Sequence, residues 1–338
     1  MSRIGRGDFG HRRRAWGLAL ALACGLPLAA AAQQTVFWRN GAGVSNWWDG
    51  ANPWYRSCDG WWIARPDYNV CNNNSTIGAN IVRFDNGSDL TMSINGAYFQ
   101  VHQLMFDSGT GARTMTARDS GGIDMRSGSS TMKIEHNDAD AQTPNTPVVL
   151  YGTTQMNPVS GNLTFSQTIY LKSNWIEVYG NNQKYLYLYG QLNADSGSGG
   201  LAVKQDSIVV VTNNNTMAGA IWVEKGTVQL NGSTNAMGAA GIVNVGTNAT
   251  LDLAYTGTLD LRPAALNLYG TGTNATWGAL RKSVSGAATW TGVITNWTDA
   301  RIVASSGNIH FSTNIVIGAA NTLYVTNANA MNMNGGEM

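Results

Sequence analysis

The sequence predicts an all-β protein and, within that class, a parallel β-solenoid. Charged residues make up only 12% of the 338-residue chain, and 40 residues are glycine. Short runs of β-branched and aliphatic residues, bounded by Gly, Asn and Ser, recur from one end to the other. No window carries a 3.6-residue apolar period over three turns. Strands with turn-forming residues between them therefore account for the whole pattern.

Residues 1–32 have the pattern of an export signal. Arg12–Arg14 give a cationic start, and Ala15–Leu28 is an apolar stretch too short and too rich in helix breakers for a membrane anchor. Small residues follow up to Ala32. We expect cleavage between Ala32 and Gln33, by either the general secretory or the twin-arginine route.

The charge of the remaining chain is close to balanced. Without the five arginines and one aspartate of residues 1–32, 16 basic and 19 acidic residues are left, and neither sign forms runs. Nucleic acids and anionic membranes both require clustered basic residues. We therefore expect no nucleic-acid partner and no membrane-surface binding through charge.

Two cysteines lie close together in the expected mature chain, Cys58 and Cys71. In an exported protein such a pair is best interpreted as one disulfide. Closing so short a loop contributes on the order of 3 kcal/mol. A metal site is the alternative, but the nearest histidine is His102 and no second Cys/His pair accompanies the cysteines.

The same region is rich in tryptophan, and we place a disulfide-pinned module at residues 33–101. Its candidate binding residues are large rings surrounded by Asn and Asp: Trp47, Trp48, Trp54, Trp61 and Trp62. Flat aromatic faces stack on sugars, which predicts a carbohydrate-binding platform. The structural interpretation is a cap that plugs the first coil of the solenoid. The residue types alone favour the cap and leave the platform open.

Strand-like runs in the second half are evenly spaced. They are Ile208–Val211, Ile221–Val223, Thr227–Leu230, Ile242–Val245, Thr250–Leu253, Thr258–Leu261, Leu266–Tyr269, Arg301–Val303, Asn308–Phe311, Ile315–Ile317 and Thr322–Val325. Even spacing fits either an antiparallel sandwich or a solenoid. Asn-Gly hairpin turns separate few of the runs, and Thr250–Leu253 recurs as Thr258–Leu261, so the solenoid is favoured. The turn Asn213–Asn215 fits stacked coils, where asparagine bonds to backbone or to the next asparagine.

A family resemblance lies within residues 199–253. Its ordered segments are Gly199–Lys204, Asp206–Val211, Asn215–Gly219, Ile221–Leu230, Asn235–Gly238 and Gly246–Leu253. This order resembles the autotransporter-associated β-strand repeat. Met217 and Met237 depart from that repeat, standing where it has Tyr and Leu, and Gln205-Asp206 stand where it has Gly-rich turns.

The resemblance implies a right-handed parallel β-helix carried as the passenger of a bacterial autotransporter, outside a Gram-negative cell. It also implies an outer-membrane β-barrel translocator as partner in the full-length protein. We expect residues 102–338 to be solenoid, cut before its C-terminal end. The implied role is a structural and adhesive stalk, with surface glycans or other cells as partners and no cofactor.

Catalysis is the rival function, because parallel β-helices also serve as polysaccharide lyases and hydrolases. The best candidate is the acidic loop Glu135–Asp140, in which Asp138 and Asp140 could share a calcium ion. An ordinary solvated loop is the other interpretation, since no third ligand is identifiable. No nucleophile elbow or phosphate-binding motif occurs. We therefore assign no catalytic residue and expect a protein that is not an enzyme.

Overall fold

The computed structural model of the chain describes four strands between residues 34 and 63, and then most of the chain beyond. The described ranges there are 80–84, 90–95, 98–109, 111–118, 121–126, 131–181, 183–195, 198–233, 235–261, 265–274, 276–327 and 331–333. These residues form strands and turns, and none of them is helical. It follows that no described segment is a helix long and apolar enough to cross a membrane. The prediction of an all-β protein is confirmed.

The described residues form strands β1 to β33, most of them three to six residues long. In chain order they are β1 (Gln34–Trp38), β2 (Ser45–Asn46), β3 (Trp54–Arg56), β4 (Trp62–Ile63), β5 (Asn80–Phe84), β6 (Leu90–Asn95), β7 (Tyr98–Val101), β8 (Gln103–Phe106), β9 (Arg113–Arg118), β10 (Gly122–Met125), β11 (Met132–His136), β12 (Gln142–Asn145), β13 (Val148–Leu150), β14 (Thr154–Pro158), β15 (Leu163–Phe165), β16 (Ile169–Tyr170), β17 (Trp175–Val178), β18 (Tyr185–Leu188), β19 (Leu192–Asn193), β20 (Gly200–Val203), β21 (Ile208–Val211), β22 (Ile221–Leu230), β23 (Ile242–Leu253), β24 (Leu259–Leu261), β25 (Ala265–Leu268), β26 (Leu280–Lys282), β27 (Ala287–Trp290), β28 (Ile294–Asn296), β29 (Ala300–Ala304), β30 (Asn308–Phe311), β31 (Ile315–Ile317), β32 (Leu323–Asn327) and β33 (Met331–Met333).

Parallel pairing sorts these strands into the sides of a solenoid. Ladder 1 runs β1, β5, β8, β11, β14, β17, β20, β22, β23, β25, β28, β31. Ladder 2 runs β2, β6, β9, β12, β15, β18, β21, then the second halves of β22 and β23, then β26, β29, β32. Ladder 3 holds β7, β10, β13, β16, β19 and, further along, β24, β27, β30, β33. The chain visits the three sides in turn, which confirms the parallel β-solenoid.

At its N-terminal edge, ladder 1 carries antiparallel strands. Strand β1 pairs in parallel with β5 on one side and antiparallel with β3 on the other, and β3 pairs antiparallel with β4. An uncovered parallel edge would present unpaired backbone groups to other chains. The antiparallel pair occupies that edge with strands from the tryptophan-rich region.

The core consists of side-chain columns that run along the solenoid. In ladder 1 one inward column is Val82, Leu104, Ile134, Met156, Val178, Val203, Val223, Val245, Leu268, Asn296 and Ile317. From Val82 to Leu268 every member is apolar and buried. Strand side chains alternate between the two faces, so the same alternation that fills this column sends the intervening residues outward.

Strands β22 and β23 turn the corner between ladders 1 and 2 without a break. The register between them shifts between Val223 and Lys225, which marks the corner. Gly226 follows with a φ of 84°, and a Cβ there would lie 2.5 Å from the Ser207 carbonyl oxygen. Only glycine fits this position without strain.

The repeat-like segment packs as stacked coils. Met217 and Met237, two of the positions that depart from the repeat, are both buried in the core. Asn215 is also buried: its Oδ1 accepts from the Leu192 N–H at 2.7 Å and its Nδ2 donates to the Ala236 carbonyl at 2.6 Å. The predicted role of the asparagine turn in joining neighbouring coils is confirmed.

One inference about repetition is wrong. Thr250–Leu253 and Thr258–Leu261 do not stack on each other: the first lies in ladder 2 and the second, in β24, in ladder 3. The stacked neighbour of Thr250–Leu253 is Thr227–Leu230, residue on residue. The recurrence therefore joins two sides of one coil instead of two coils.

Candidate functional site

The acidic loop at Glu135–Asp140 is held by its own contacts. Glu135 accepts from Lys133 Nζ at 2.7 Å and from Asn137 Nδ2 at 2.9 Å. Burial raises the pKa of Glu135, but these hydrogen bonds outweigh it and hold the pKa below its ordinary 4.5. The carboxylate is thus kept ionised by its neighbours and is poorly suited to donate a proton.

The two residues predicted as a calcium pair lie in different surroundings. Asp138 is buried; its Oδ1 accepts from the Asp140 N–H at 2.8 Å, and its Oδ2 lies 3.4 Å from the Gly111 nitrogen. Asp140 is exposed. Within the described ranges, no three His, Cys, Asp or Glu side chains come together as a metal site would require. Asp138 shapes the turn through backbone amides.

His136, in the same loop sequence, points into the core. It continues a column of rings: Phe84 and Phe106 stack with centroids 5.1 Å apart, and His136 meets Phe106 edge-on at 6.1 Å. Burial lowers the pKa of His136, partly opposed by nearby backbone of Asp140 and Gly161. The polysaccharide-cleaving alternative gains no support from these contacts.

The N-terminal predictions fall mainly outside the described residues. This applies to the disulfide Cys58–Cys71, to Trp47, Trp48 and Trp61, and to the cleavage site Ala32–Gln33. The backbones of Trp54 and Trp62 lie on β3 and β4, where Tyr55 pairs with Trp62. The glycan platform and the disulfide in this region stay predictions.

A groove of about 570 Å³ runs along the corner between ladders 1 and 2. It crosses five successive rungs of ladder 2, and its lining includes Gln183, Asp206, Lys225, Asn248, Thr273 and Trp277. Its size is within the range of small-molecule sites. Sequence reasoning did not find it, because its residues come from five coils and share no local motif.

The groove's charged and aromatic groups are already engaged. Lys225 Nζ pairs with Asp206 Oδ2 at 2.8 Å. The Arg281 guanidinium covers the Trp277 ring, 4.4 Å from its centroid, and lies 3.9 Å from Asp252. Burial raises the pKa of Asp252, with Ser283 and Arg281 opposing the rise. These contacts fix the walls of the groove.

A second candidate surface is the outer side of ladder 1 over β22, β23, β25, β28 and β31, which we call the outer aromatic face. Alternation along these strands sends one set of side chains outward. The set is Trp222, Glu224, Ile242, Asn244, Asn267, Tyr269, Val293, Thr295, Trp297 and Val316. The face therefore combines exposed rings and aliphatic groups with amides, hydroxyls and one carboxylate, that of Glu224.

Hydrogen bonds order the middle of this face. Trp222, Asn244, Asn267 and Thr295 occupy equivalent positions in four successive coils. Asn267 Nδ2 donates to Asn244 Oδ1 at 2.8 Å, and Trp297 Nε1 donates to Asn267 Oδ1 at 3.1 Å. The stacked pair Asn244 and Asn267 thus holds the Trp297 ring in place through its Nε1–H group.

No protein-family model, no curated protein and no solved structure matches the chain. The stacked parallel strands agree with the architecture that the autotransporter-repeat resemblance implies. The strand pairing by itself establishes the fold, a parallel β-solenoid.

Proposed function

We propose that this chain is an exported, cell-surface β-solenoid of the autotransporter-passenger kind, with a structural and adhesive role. The observation that carries the proposal is the unbroken parallel pairing of ladder 1, from β1 to β31. Twelve strands at about 4.8 Å spacing extend the ladder over roughly 50 Å.

Rigidity follows from how each coil is held. A strand inside a ladder is paired on both sides, and its inward side chains contact the coils above and below. Bending such an array would break several backbone hydrogen bonds between strands and would open the core at the same time. A rod of this kind suits a stalk that holds binding surface away from its anchor.

Adhesion through such a rod would rely on area and repetition. Surface groups recur once per coil, so a repetitive partner can be contacted at several points, and linked weak contacts add up to high avidity. The outer aromatic face offers such recurrence at Trp222, Asn244, Asn267 and Thr295.

Export is tested by expressing the full chain in a Gram-negative host. We expect processed protein outside the cytoplasm, with an N-terminus at Gln33. Leu20→Arg, which places a charge in the apolar part of the signal, should leave unprocessed chain in the cytoplasm. Processing that is equal in both proteins, or absent from both, would contradict the export proposal.

Adhesion is tested with the purified chain on cell surfaces and on a glycan array. We expect saturable binding to at least one class of cells. Heat-unfolded chain is the control, because an adhesive rod requires its fold. Failure to bind any cell type would leave the structural part of the proposal and remove the adhesive part.

A further inference from the structure

The outer aromatic face leaves large rings in contact with water. Trp222 is 43% exposed and Trp297 is 56% exposed, and Ile242, Val293 and Val316 are exposed beside them. Soluble proteins rarely gather large apolar side chains on one surface without a partner for them. The cluster is drawn from coils up to about 95 residues apart in the chain, so local sequence preference does not explain it.

Polar groups without protein partners lie beside the rings. In the described part of the chain, neither Asn244 Nδ2 nor the Thr295 hydroxyl makes a hydrogen bond within the protein. Both lie in the same column as Trp222, and Thr295 shares its coil with Trp297. Amides and hydroxyls in this setting can donate to and accept from ligand hydroxyls.

Charge on this face is confined to one margin and neutralised there. Glu224 forms an ion pair with Lys204, from the preceding coil. The column Trp222, Asn244, Asn267 and Thr295 contains no charged residue. A nucleic acid or an acidic polysaccharide would require cations. The buried core of a protein interface is more apolar than the rest of the surface, whereas a row of amides and a hydroxyl runs through the middle of this face.

We propose that the outer aromatic face binds a neutral, extended glycan laid along the solenoid axis, an inference that rests on the adhesive role proposed above. Trp222 and Trp297 would stack on the apolar faces of sugar rings, and Asn244 and Thr295 would bond sugar hydroxyls. The two tryptophans are separated by three coil spacings, or roughly 14 Å along the axis at about 4.8 Å per strand. A ligand of several sugar units is needed to reach both.

Asn267 is a positioning residue in this site. It accepts from Trp297 Nε1 at 3.1 Å and donates to Asn244 at 2.8 Å, so it couples the indole to the amide row. The Tyr269 ring lies nearly parallel to Trp297, at 7° and with 6.3 Å between centroids, and supports the same orientation. A ring held in place before binding loses less conformational entropy when the ligand arrives.

The corner groove is the weaker candidate for the same ligand. Its aromatic ring, Trp277, is already covered by the Arg281 guanidinium at 4.4 Å. Its cation and anion, Lys225 and Asp206, are paired with each other. Variants of the groove therefore serve as internal controls.

The test is isothermal titration calorimetry of the full chain with neutral hexasaccharides, namely cellohexaose, xylohexaose and maltohexaose, and with hexagalacturonate as the acidic probe. We expect at least one neutral probe to bind and the acidic probe to bind no more tightly. Trp222→Ala and Trp297→Ala should each weaken binding about tenfold or more, as loss of an aromatic anchor does. Replacing either tryptophan by Tyr, which keeps a ring, should retain most of the affinity.

Controls separate binding from folding. Tyr324→Ala removes an equally exposed ring from ladder 2, and Trp277→Ala removes the ring in the groove; neither should change affinity. Circular dichroism and thermal unfolding of Trp222→Ala and Trp297→Ala should match the wild type, because both side chains are exposed. Asn267→Ala should weaken binding and should also shift the fluorescence emission of Trp297. The emission of Trp297 is obtained by subtracting the spectrum of the same protein carrying Trp297→Phe.

Each outcome decides between the two proposals. Glycan binding that survives both tryptophan substitutions overturns the assignment of this face, while adhesion stands. Cell binding without affinity for any glycan, or tighter binding to hexagalacturonate, overturns the neutral glycan as ligand and points to a protein or an acidic partner. Absence of both cell and glycan binding removes the adhesive function itself.

Discussion

Lys282 offers the sharpest test of how the core is built. It lies on β26 in register with Ala304, on the inward side of ladder 2, and is fully buried. Its Nζ donates to three carbonyl oxygens, those of Tyr255 at 2.8 Å, Val284 at 2.8 Å and Ser285 at 3.0 Å. One ammonium group therefore holds together the turns of two coils.

Replacing Lys282 by Met keeps most of the volume and removes the donors. Three carbonyl oxygens are then left facing an apolar side chain, and each unsatisfied buried group costs about 1–3 kcal/mol. Folding of the wild type removes the Lys282 ammonium from water, which costs free energy, and the Met variant avoids this cost. The difference offsets part of the loss. We expect Lys282→Met to lower the free energy of unfolding by about 3–5 kcal/mol.

The measurement is urea unfolding followed by circular dichroism. Lys225→Met is the matched control: Lys225 is about half exposed and pairs with Asp206 at the surface, so its replacement should cost less than about 1 kcal/mol. The reasoning fails if Lys282→Met unfolds within about 0.5 kcal/mol of the wild type. That result would mean that the turn carbonyls find water or other donors once the ammonium is gone.

Further predictions concern pH, a turn and a corner. Burial lowers the pKa values of His102 and His136 below the ordinary 6.5, so as the pH falls these histidines take up protons in the unfolded chain before they do in the folded one. We therefore expect the stability, measured by thermal unfolding, to drop between pH 7 and 5. The drop should be smaller in His136→Leu. Asn215→Leu should lower the free energy of unfolding in urea by about 2–5 kcal/mol, because it leaves the Leu192 N–H and the Ala236 carbonyl without their hydrogen-bond partner. Gly226→Ala should lower the melting temperature, whereas Gly241→Ala, where a Cβ meets nothing, should not.

The strands themselves were predictable from local pattern. Ile208–Val211 and Asn308–Phe311 were predicted with the bounds that the structure shows for β21 and β30. The starts at 301, 308, 315 and 322 correspond to β29, β30, β31 and β32, which occupy successive sides of the coil. Seven residues are thus one side, and three sides make one coil.

Which strands stack on which was not predictable, because coil length varies. Val203 and Val223 are stacked neighbours 20 residues apart, whereas Leu268 and Asn296 are stacked 28 apart. Insertions at the corners absorb the difference without disturbing the ladders. The resemblance of Thr250–Leu253 to Thr258–Leu261 misled because similar strands lie on different sides of one coil, so similarity in sequence does not show which strands stack.

The candidate surfaces were missed because they are built across coils. Sequence reasoning drew attention to the tryptophan cluster in residues 33–101, where rings are close together in the chain. Trp222 and Trp297 are 75 residues apart and meet on one face only through the pairing of β22, β23, β25 and β28. Alternation alone gives a clue for Trp222, which lies between the buried Ile221 and Val223.

The solenoid separates the residues that stabilise it from those that can bind. Inward columns are fixed by contact with the coils above and below, so a change there, as at Lys282, acts on folding. Outward columns contact water, so a change there, as at Trp222, leaves the core untouched. If this separation holds, Lys282→Met will lose stability but retain ligand affinity at temperatures where it is folded, and Trp222→Ala will do the reverse. Loss of both properties in either variant would show that the outer face depends on the core beneath it.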